Sequence, residues 1–512
     1  MFIGTIALLA SVALLSSCTG TAVGAAFRPS YREVPCPEDL DFVLVQRHTC
    51  GHLTVLEDRS KPDGRTIELF VVHVVPQSGT ASNPDPIYVP GTKLAGVQKF
   101  FDVAPVADRT DREEFIMEQR GVGRSEPSLA CPEIDRVNAV TVAAPTGDPS
   151  ARTAFVDAVK ACFQRITSQG VDPSAYDLQA MAADGEDLRR ALGIDEWGII
   201  SIGSASRVAL EMAREYPEHL RELVLDSPEV PQVDPFTEGI LGTRAALGQM
   251  AAACRADAAC SRRFPDLEQA FEAASGALDQ HPLSLRSGTD GTGESVDVHL
   301  DGSMFLRGIR TLLAGEGDVV EGATPAVVYA ALDGNTALVR QYLTDDLGSQ
   351  QTYCLGYVPV CDPTNTVSVG AYLSILCGDI APFIDRSALT TLAGADDTFS
   401  SVFAQPPWLD ACDAWNVPPS DASVASPVSS GVPTLILLGR FDPFGAPAVV
   451  RPATTGLSQS WVVIDPVAGR NTLADACFQD LRTLWLADPT SPPDASCVKK
   501  MTPLPFLIPL SV

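Results

Sequence analysis

The segment Ser201-Ile202-Gly203-Ser204-Ala205 joins an apolar run to a stretch with helical spacing. A serine at the tip of such a strand-to-helix turn is a nucleophile of acyl transfer, and the residues two positions either side must be small because the backbones come close. Centring the turn on Gly203 meets that rule, with Ser201 and Ala205 as flanks. Centring it on Ser204 makes Ile202 a flank, and centring it on Ser201 makes Ile199 one; both are bulky. The register therefore predicts Gly203 at the apex, where there is no side chain to attack anything and where glycine tolerates the strained backbone. A shifted turn with Ser204 or Ser201 as nucleophile is the alternative. Acyl transfer also needs a carboxylate and a general base. Asp442 follows the apolar run 434–439 and is placed to be the acid. The six histidines are His48, His52, His73, His219, His281 and His299, so none follows Asp442. His73 inside a strand and His219 beside Pro217 read as structural residues.

The elements around these residues form a pattern. Runs at 67–75, 87–89, 115–117, 198–202 and 223–225 read as strands. Between the last two, 207–214 has helical apolar spacing and stops near Pro217. Strand, helix, strand at this spacing implies a parallel sheet and the α/β class. From 233 the texture changes: 245–256, 267–278 and 326–343 are Ala/Leu-rich and helical, with no comparable strand before 434. The reading is a core, 36–232, interrupted by a helical cap, 233–430, which ends in a Pro/Ser/Ala-rich linker at 418–432. The core resumes over 431–512, with strands at 434–439 and 461–464 and a closing helix at 474–486.

With 512 residues, 45% hydrophobic and 20% charged, the chain has the proportions of a globular protein with more than one structural unit. A net charge of −28 spread along the chain repels phosphate backbones, so nucleic acid is excluded as a partner. The apolar stretch 3–15 is too short to span a bilayer comfortably. It runs into Leu15-Ser16-Ser17-Cys18, which resembles the signal peptide of a bacterial lipoprotein with Cys18 as the lipidated residue, although residues 1–4 carry no Lys or Arg. An ordinary cleaved secretory peptide is the alternative, and both place the mature chain outside the cytoplasm, with 19–35 as a tether. Without Cys18, twelve of the thirteen cysteines remain. Neighbours in sequence suggest pairs Cys36 with Cys50, Cys131 with Cys162, Cys254 with Cys260, Cys354 with Cys361, Cys377 with Cys412 and Cys477 with Cys497, though connectivity stays open. Zinc-site spacing is missing, so no metal and no cofactor is expected.

Several segments, in order, resemble the tripeptidyl-aminopeptidase-like (TAP-like, peptidase S33-type) branch of the α/β-hydrolases. Residues 50–55 with 61–67 resemble its first strand pair, and Glu118-Gln119-Arg120-Gly121-Val122-Gly123-Arg124-Ser125 its "D-Q-R-G-x-G-x-S" loop. Residues 207–210 with 216–220, then Val224-Leu225-Asp226-Ser227, resemble its post-elbow helix and next strand. Phe441-Asp442-Pro443 resembles its acid turn, and Cys477 and Cys497 its cysteine-bearing end. The resemblance implies an α/β-hydrolase fold, mostly parallel sheet flanked by helices, with a helical cap and a Ser, Asp, His triad in that chain order. Gly203 then stands at the serine position and Asp442 at the acid. Where the family has "G-A-G-H-G-T-L", this chain has Val467-Ala468-Gly469-Arg470-Asn471-Thr472-Leu473, with Arg470 in place of histidine. Arginine stays protonated and accepts no proton. The oxyanion loop is reduced to Pro90-Gly91-Thr92-Lys93, leaving Gly91 and Lys93 as candidate binding residues. Arg470 is expected to form a forked pair with Asp442. The implied function is a non-catalytic exported homologue, lipid-anchored at the outer membrane face through Cys18, that binds a peptide or small apolar ligand between core and cap. A working aminopeptidase using Ser204 or Ser201, and a structural envelope protein, are the alternatives.

Overall fold

The computed structural model describes residues 27–41, 47–76, 81, 84–91, 111–286, 297–315, 321–345, 368–394, 397–470 and 472–509. Nine strands form one sheet: β1 (Ser30–Val34), β2 (His48–Leu56), β3 (Thr66–Val74), β4 (Ile87–Val89), β5 (Glu114–Met117), β6 (Trp197–Ile202), β7 (Leu220–Asp226), β10 (Thr434–Gly439) and β11 (Ser460–Asp465). Their order is β1-β2-β3-β5-β4-β6-β7-β10-β11. The first three strands and β5 pair antiparallel, and from β5 onward every neighbour is parallel. β7 and β10 are adjacent although some 200 residues of chain separate them, so the sheet closes across the insertion.

The strands alternate with a period of two. Ile199, Ile436 and Leu438 face one apolar layer, which runs on into the helices Leu178–Leu192 and Ala205–Glu215 and the inserted region. Ile200, Ile202, Leu435 and Leu437 face the other, closed by Phe478, Leu481 and Trp485 of the helix Ala476–Ala487. Both faces of the parallel strands are buried, which is why β6 and β10 read as continuous apolar runs.

The inserted region is mostly helical but holds a hairpin of β8 (Leu283–Arg286) and β9 (Asp297–Leu300), where no comparable strand was expected between 233 and 434, and the helix expected over 326–343 is broken into Thr324–Leu332 and Thr336–Arg340 at Gly334. Its helix Pro407–Trp415 packs on Pro149–Ser168 of the first part: Phe155 meets Trp408 edge-on at 4.9 Å and Phe163 meets Trp415 at 5.5 Å.

The tether expectation for 19–35 needs correction over 30–34, while 19–26 lie outside the described residues. Residues 30–34 are a strand, paired residue by residue with β2 from Ser30↔Thr54 to Val34↔Cys50. The disulfide Cys36–Cys50 fixes the chain immediately after it. Four more of the expected pairs are joined: Cys131–Cys162, Cys254–Cys260, Cys377–Cys412 and Cys477–Cys497. Cys18, Cys354 and Cys361 lie outside the described residues. Disulfides such as these form and persist in oxidising compartments. No described helix is long and apolar enough to cross a membrane.

Candidate active site

β6 ends at Ile202, the helix Ala205–Glu215 starts three residues later, and Gly203 between them has φ +58°. A side-chain-bearing residue pays about 1–2 kcal/mol for that left-handed backbone, which glycine adopts freely. The Gly203 N–H donates to Asp226 O at 3.0 Å, and its carbonyl accepts from Ser206 N at 3.0 Å and Glu229 N at 3.2 Å. The apex of the turn is thus Gly203. Ser201 is buried in β6 with its Oγ 3.1 Å from Ser206 Oγ. Ser204 lies in right-handed helical backbone, part-buried, and its hydroxyl makes no capping bond.

Arg470 reaches this apex. A Cβ on Gly203 would lie 2.4 Å from Arg470 Nη2 and 3.3 Å from its Cζ. Three anchors hold the arginine there. Its N–H donates to Ala314 O at 2.7 Å, and Ser227 Oγ donates to its carbonyl at 2.5 Å. Farther along, Thr472 Oγ1 and Leu473 N donate to the two oxygens of Asp226, at 2.8 and 3.3 Å. Gly469 permits the approach, since a Cβ there would come within 2.4 Å of the carbonyls of Leu313 and Ala314.

The forked pair with Asp442 is not formed. Arg470 Nη2 instead meets Glu229 Oε1 at 3.2 Å, and its guanidinium lies 4.6 Å from the centre of the Phe444 ring. Asp442 is fully buried and turned into its own loop: Oδ1 accepts from Phe444 N at 2.8 Å, and Oδ2 has no hydrogen-bond partner among the described residues. Burial pushes its carboxyl up, opposed first by the charge of Arg470.

Residues that sequence reasoning missed complete the site. Glu229 lies just past the C-terminal end of β7, where open α/β sheets place their ligands. It also faces Arg207, Nε to Oε2 at 3.9 Å, and Arg207 donates to Val233 O at 2.7 Å. Glu238 is buried, and burial holds its carboxyl well above the usual range, reinforced by Glu229 and Asp442. Arg310 of the inserted helix Gly302–Ala314 stacks on Phe444. A helical Arg or Glu carries no signal of its own in a single sequence; the acidic residue closely following a buried strand was the one available clue.

The remaining candidates lie apart. Gly91 closes β4 with φ +66°, and Gln119 Nε2 donates to the neighbouring Pro90 O at 2.8 Å; Lys93 is outside the described residues. The loop around Arg120 is a structural knot, its guanidinium gripping Asp184 through Nε–Oδ2 and Nη2–Oδ1, both 2.7 Å. His48, His52 and His73 sit on β2 and β3, His219 beside Glu186 and Glu218, His281 at a helix end and His299 on β9. Among the described residues no group of His, Cys, Asp and Glu is arranged to hold a metal. An open groove of about 750 Å³ runs past Leu241, Phe383, Ala388, Val449 and Pro452, and none of Gly203, Asp442 and Arg470 lines it.

Comparison with known families agrees with this architecture. Residues 87–259 match the family described as alpha/beta hydrolase fold, and residues 398–497 match the one described as TAP-like protein. The chain is a TAP-like α/β-hydrolase. It is 22% identical over 480 residues to "Serine protease Hip1" of Mycobacterium tuberculosis and of Mycobacterium bovis, covering 87% of this chain and 86% of the relative. Among solved structures, the proline iminopeptidase of Mycobacterium smegmatis overlaps 86% of this chain and 98% of its own, at 15% identity and a TM-score of 0.37, too loose for any functional inference.

In this TAP-like hydrolase the elbow apex has no nucleophilic atom, and the residue over it is a cation. A guanidinium cannot take a proton from a hydroxyl, but it can hold an anion or stack on a ring. What the site presents is a cluster of arginines, carboxyls and one aromatic ring, buried where inserted helix and sheet meet.

Proposed function

We propose that this chain is an exported, non-catalytic TAP-like α/β-hydrolase that binds a ligand in the core–cap cleft instead of cleaving it. The observation that carries the reading is the position of Arg470, whose guanidinium fills the space that a side chain on Gly203 would need. In serine proteases, loss of the nucleophile or the histidine alone lowers kcat by roughly 10⁶, and here one position holds glycine and the other a paired arginine. The disulfides support folding outside the cytoplasm, and Cys18 is the proposed lipid anchor that ties the chain to the outer membrane face.

The name of the relatives, serine protease, favours a second reading, in which Ser204 is the nucleophile of a working peptidase. Ser204 has helical backbone one residue beyond the apex, and Ser201 is sealed in the sheet, which weighs against both. A fluorophosphonate probe separates the readings. Under the non-catalytic reading no serine is labelled; specific labelling of Ser204 or Ser201 overturns it.

A further inference from the structure

Among the described residues, Arg310 is the arginine of the site that forms no ion pair. It lies on the inserted helix Gly302–Ala314, whose last carbonyl receives the Arg470 N–H, so the two arginines are carried to one place. Its guanidinium carbon is 3.9 Å from the centre of the Phe444 ring and 5.1 Å from that of Phe403. Phe444 is also the ring under Arg470. Stacking on aromatic faces leaves the in-plane N–H donors of a guanidinium unsatisfied. Among the described residues Arg310 has neither an ion pair nor a hydrogen bond, and its Nε is buried without an acceptor. The side chain is part-buried, so it is not sealed from a ligand.

The neighbouring carboxyls do not supply the missing partner. Glu229 is engaged by Arg470 at 3.2 Å and faces Arg207 at 3.9 Å. Glu238 makes no ion pair with Arg310, and its Oε1 is buried without a partner. Asp442 is turned into its own loop. Burial favours the neutral form of both Glu238 and Asp442. Of the described carboxyls around Arg207, Arg470 and Arg310, only Glu229 forms ion pairs; Glu238 acts on Arg310 by charge without contact, and a part-buried cation with no contacting counter-charge is costly. A planar anion set against Arg310 satisfies its donors in the forked geometry that guanidinium and carboxylate share. The rings of Phe403 and Phe444 beside it offer an apolar wall.

We infer that the cleft takes a ligand with one carboxylate and an apolar body, its carboxylate held by Arg310 beside Arg470 and its body against Phe403 and Phe444. This rests on the reading that the chain binds rather than cleaves, and it names the class of ligand. Such a carboxylate is either the C-terminal end of an apolar peptide or the head of a fatty acid.

Calorimetric titration of the full chain with N-acetyl-phenylalanine and with decanoate distinguishes the two sources, with the methyl ester of each as the uncharged control. The expected result is that one acid binds and its ester binds at least about tenfold more weakly, as loss of a charge-assisted hydrogen bond implies. Arg310→Gln is expected to weaken the acid by roughly tenfold to a hundredfold, and Arg310→Lys by less. Melting curves of both variants verify folding. Equal affinity for acid and ester, unchanged affinity in a folded Arg310→Gln chain, no binding of either acid, or a preference for inorganic phosphate would overturn the inference. Fluorophosphonate labelling reads the parent proposal separately. A chain that stays unlabelled and binds neither acid refutes only the ligand class, whereas one that labels refutes the non-catalytic reading itself.

Discussion

The guanidinium of Arg470 and the bare Cα of Gly203 are a fitted pair: a Cβ at 203 would lie 2.4 Å from Nη2. Neither residue can be changed without reference to the other.

Gly203→Ser alone is expected to cost about 3 kcal/mol, from the left-handed backbone and the collision together. Arg470→His in the same chain removes the collision, so the double variant should be more stable than the sum of the single changes by about 1 kcal/mol or more. Denaturant melts of the four proteins measure this. Hydrolysis of aminoacyl p-nitroanilides is expected above background in the double variant only.

Glu229→Gln removes the carboxylate that Arg470 and Arg207 share. Losing one charged partner of a largely buried arginine destabilises the fold, here by about 2 kcal/mol or more. Glu113→Gln, at the half-exposed pair with His73, is the control and should cost less than about 1 kcal/mol. Equal losses in the two variants would show that the Glu229 contact carries no special weight.

Two buried aspartates predict opposite pH behaviour. Burial pushes the Asp184 carboxyl up, but Arg120 and Arg59 outweigh it and the net shift is downward. Its stabilisation is full above the unfolded carboxylate value, about 4, and is lost as pH falls through the folded one. Asp184→Asn should therefore cost most near neutrality and little in acid. Asp226 is raised to about 7, first by burial. Its contribution is full below about 4 and declines as pH rises through 7. The melting temperature of Asp226→Asn relative to the unmodified chain should rise between about pH 4 and pH 8, whatever offset the lost acceptor for Leu473 N or Thr472 Oγ1 imposes. Melting temperatures across that range, each taken as a difference from the unmodified chain, test both signs.

Replacing Cys36 and Cys50 together by Ala removes the staple after β1. A loop of this size contributes about 3 kcal/mol. The expected outcome is faster hydrogen exchange over residues 30–34 than over 66–74, because β1 is an edge strand and β3 lies inside the sheet. Unchanged protection at 30–34 would mean that pairing with β2 suffices without the disulfide.

The parallel core was legible because its strands are buried on both faces and so read as apolar runs, as at 198–202 and 434–439. The elbow register was argued from side-chain size alone, with Ile202 excluding Ser204 from the apex; in the structure the positive φ of that turn falls on Gly203. β1 was not legible, since Ser-Tyr-Arg-Glu-Val is polar and covers only one edge, and its pairing is dictated by β2 and Cys50. The partner of Arg470 was missed for a similar reason. Sequence order put Asp442 nearest in role, but the direction of the 467–470 segment is set by Ala314 and Ser227, and these send the guanidinium across Phe444 to Glu229.

The stapled first strand also bears on how the molecule behaves in company. Beneath β1, strand β2 alternates buried and part-exposed residues and would present its backbone N–H and C=O groups to any other chain if uncovered. β1 caps that ladder with a mostly exposed stretch that carries Arg32 and Glu33, charges that discourage a further strand from adding on. The Cys36–Cys50 bond keeps the cover in place in an oxidising environment. Reduction would leave five residues of backbone pairing as the hold on that cover, so the same pair that closes a covalent loop also guards a hydrogen-bonding edge.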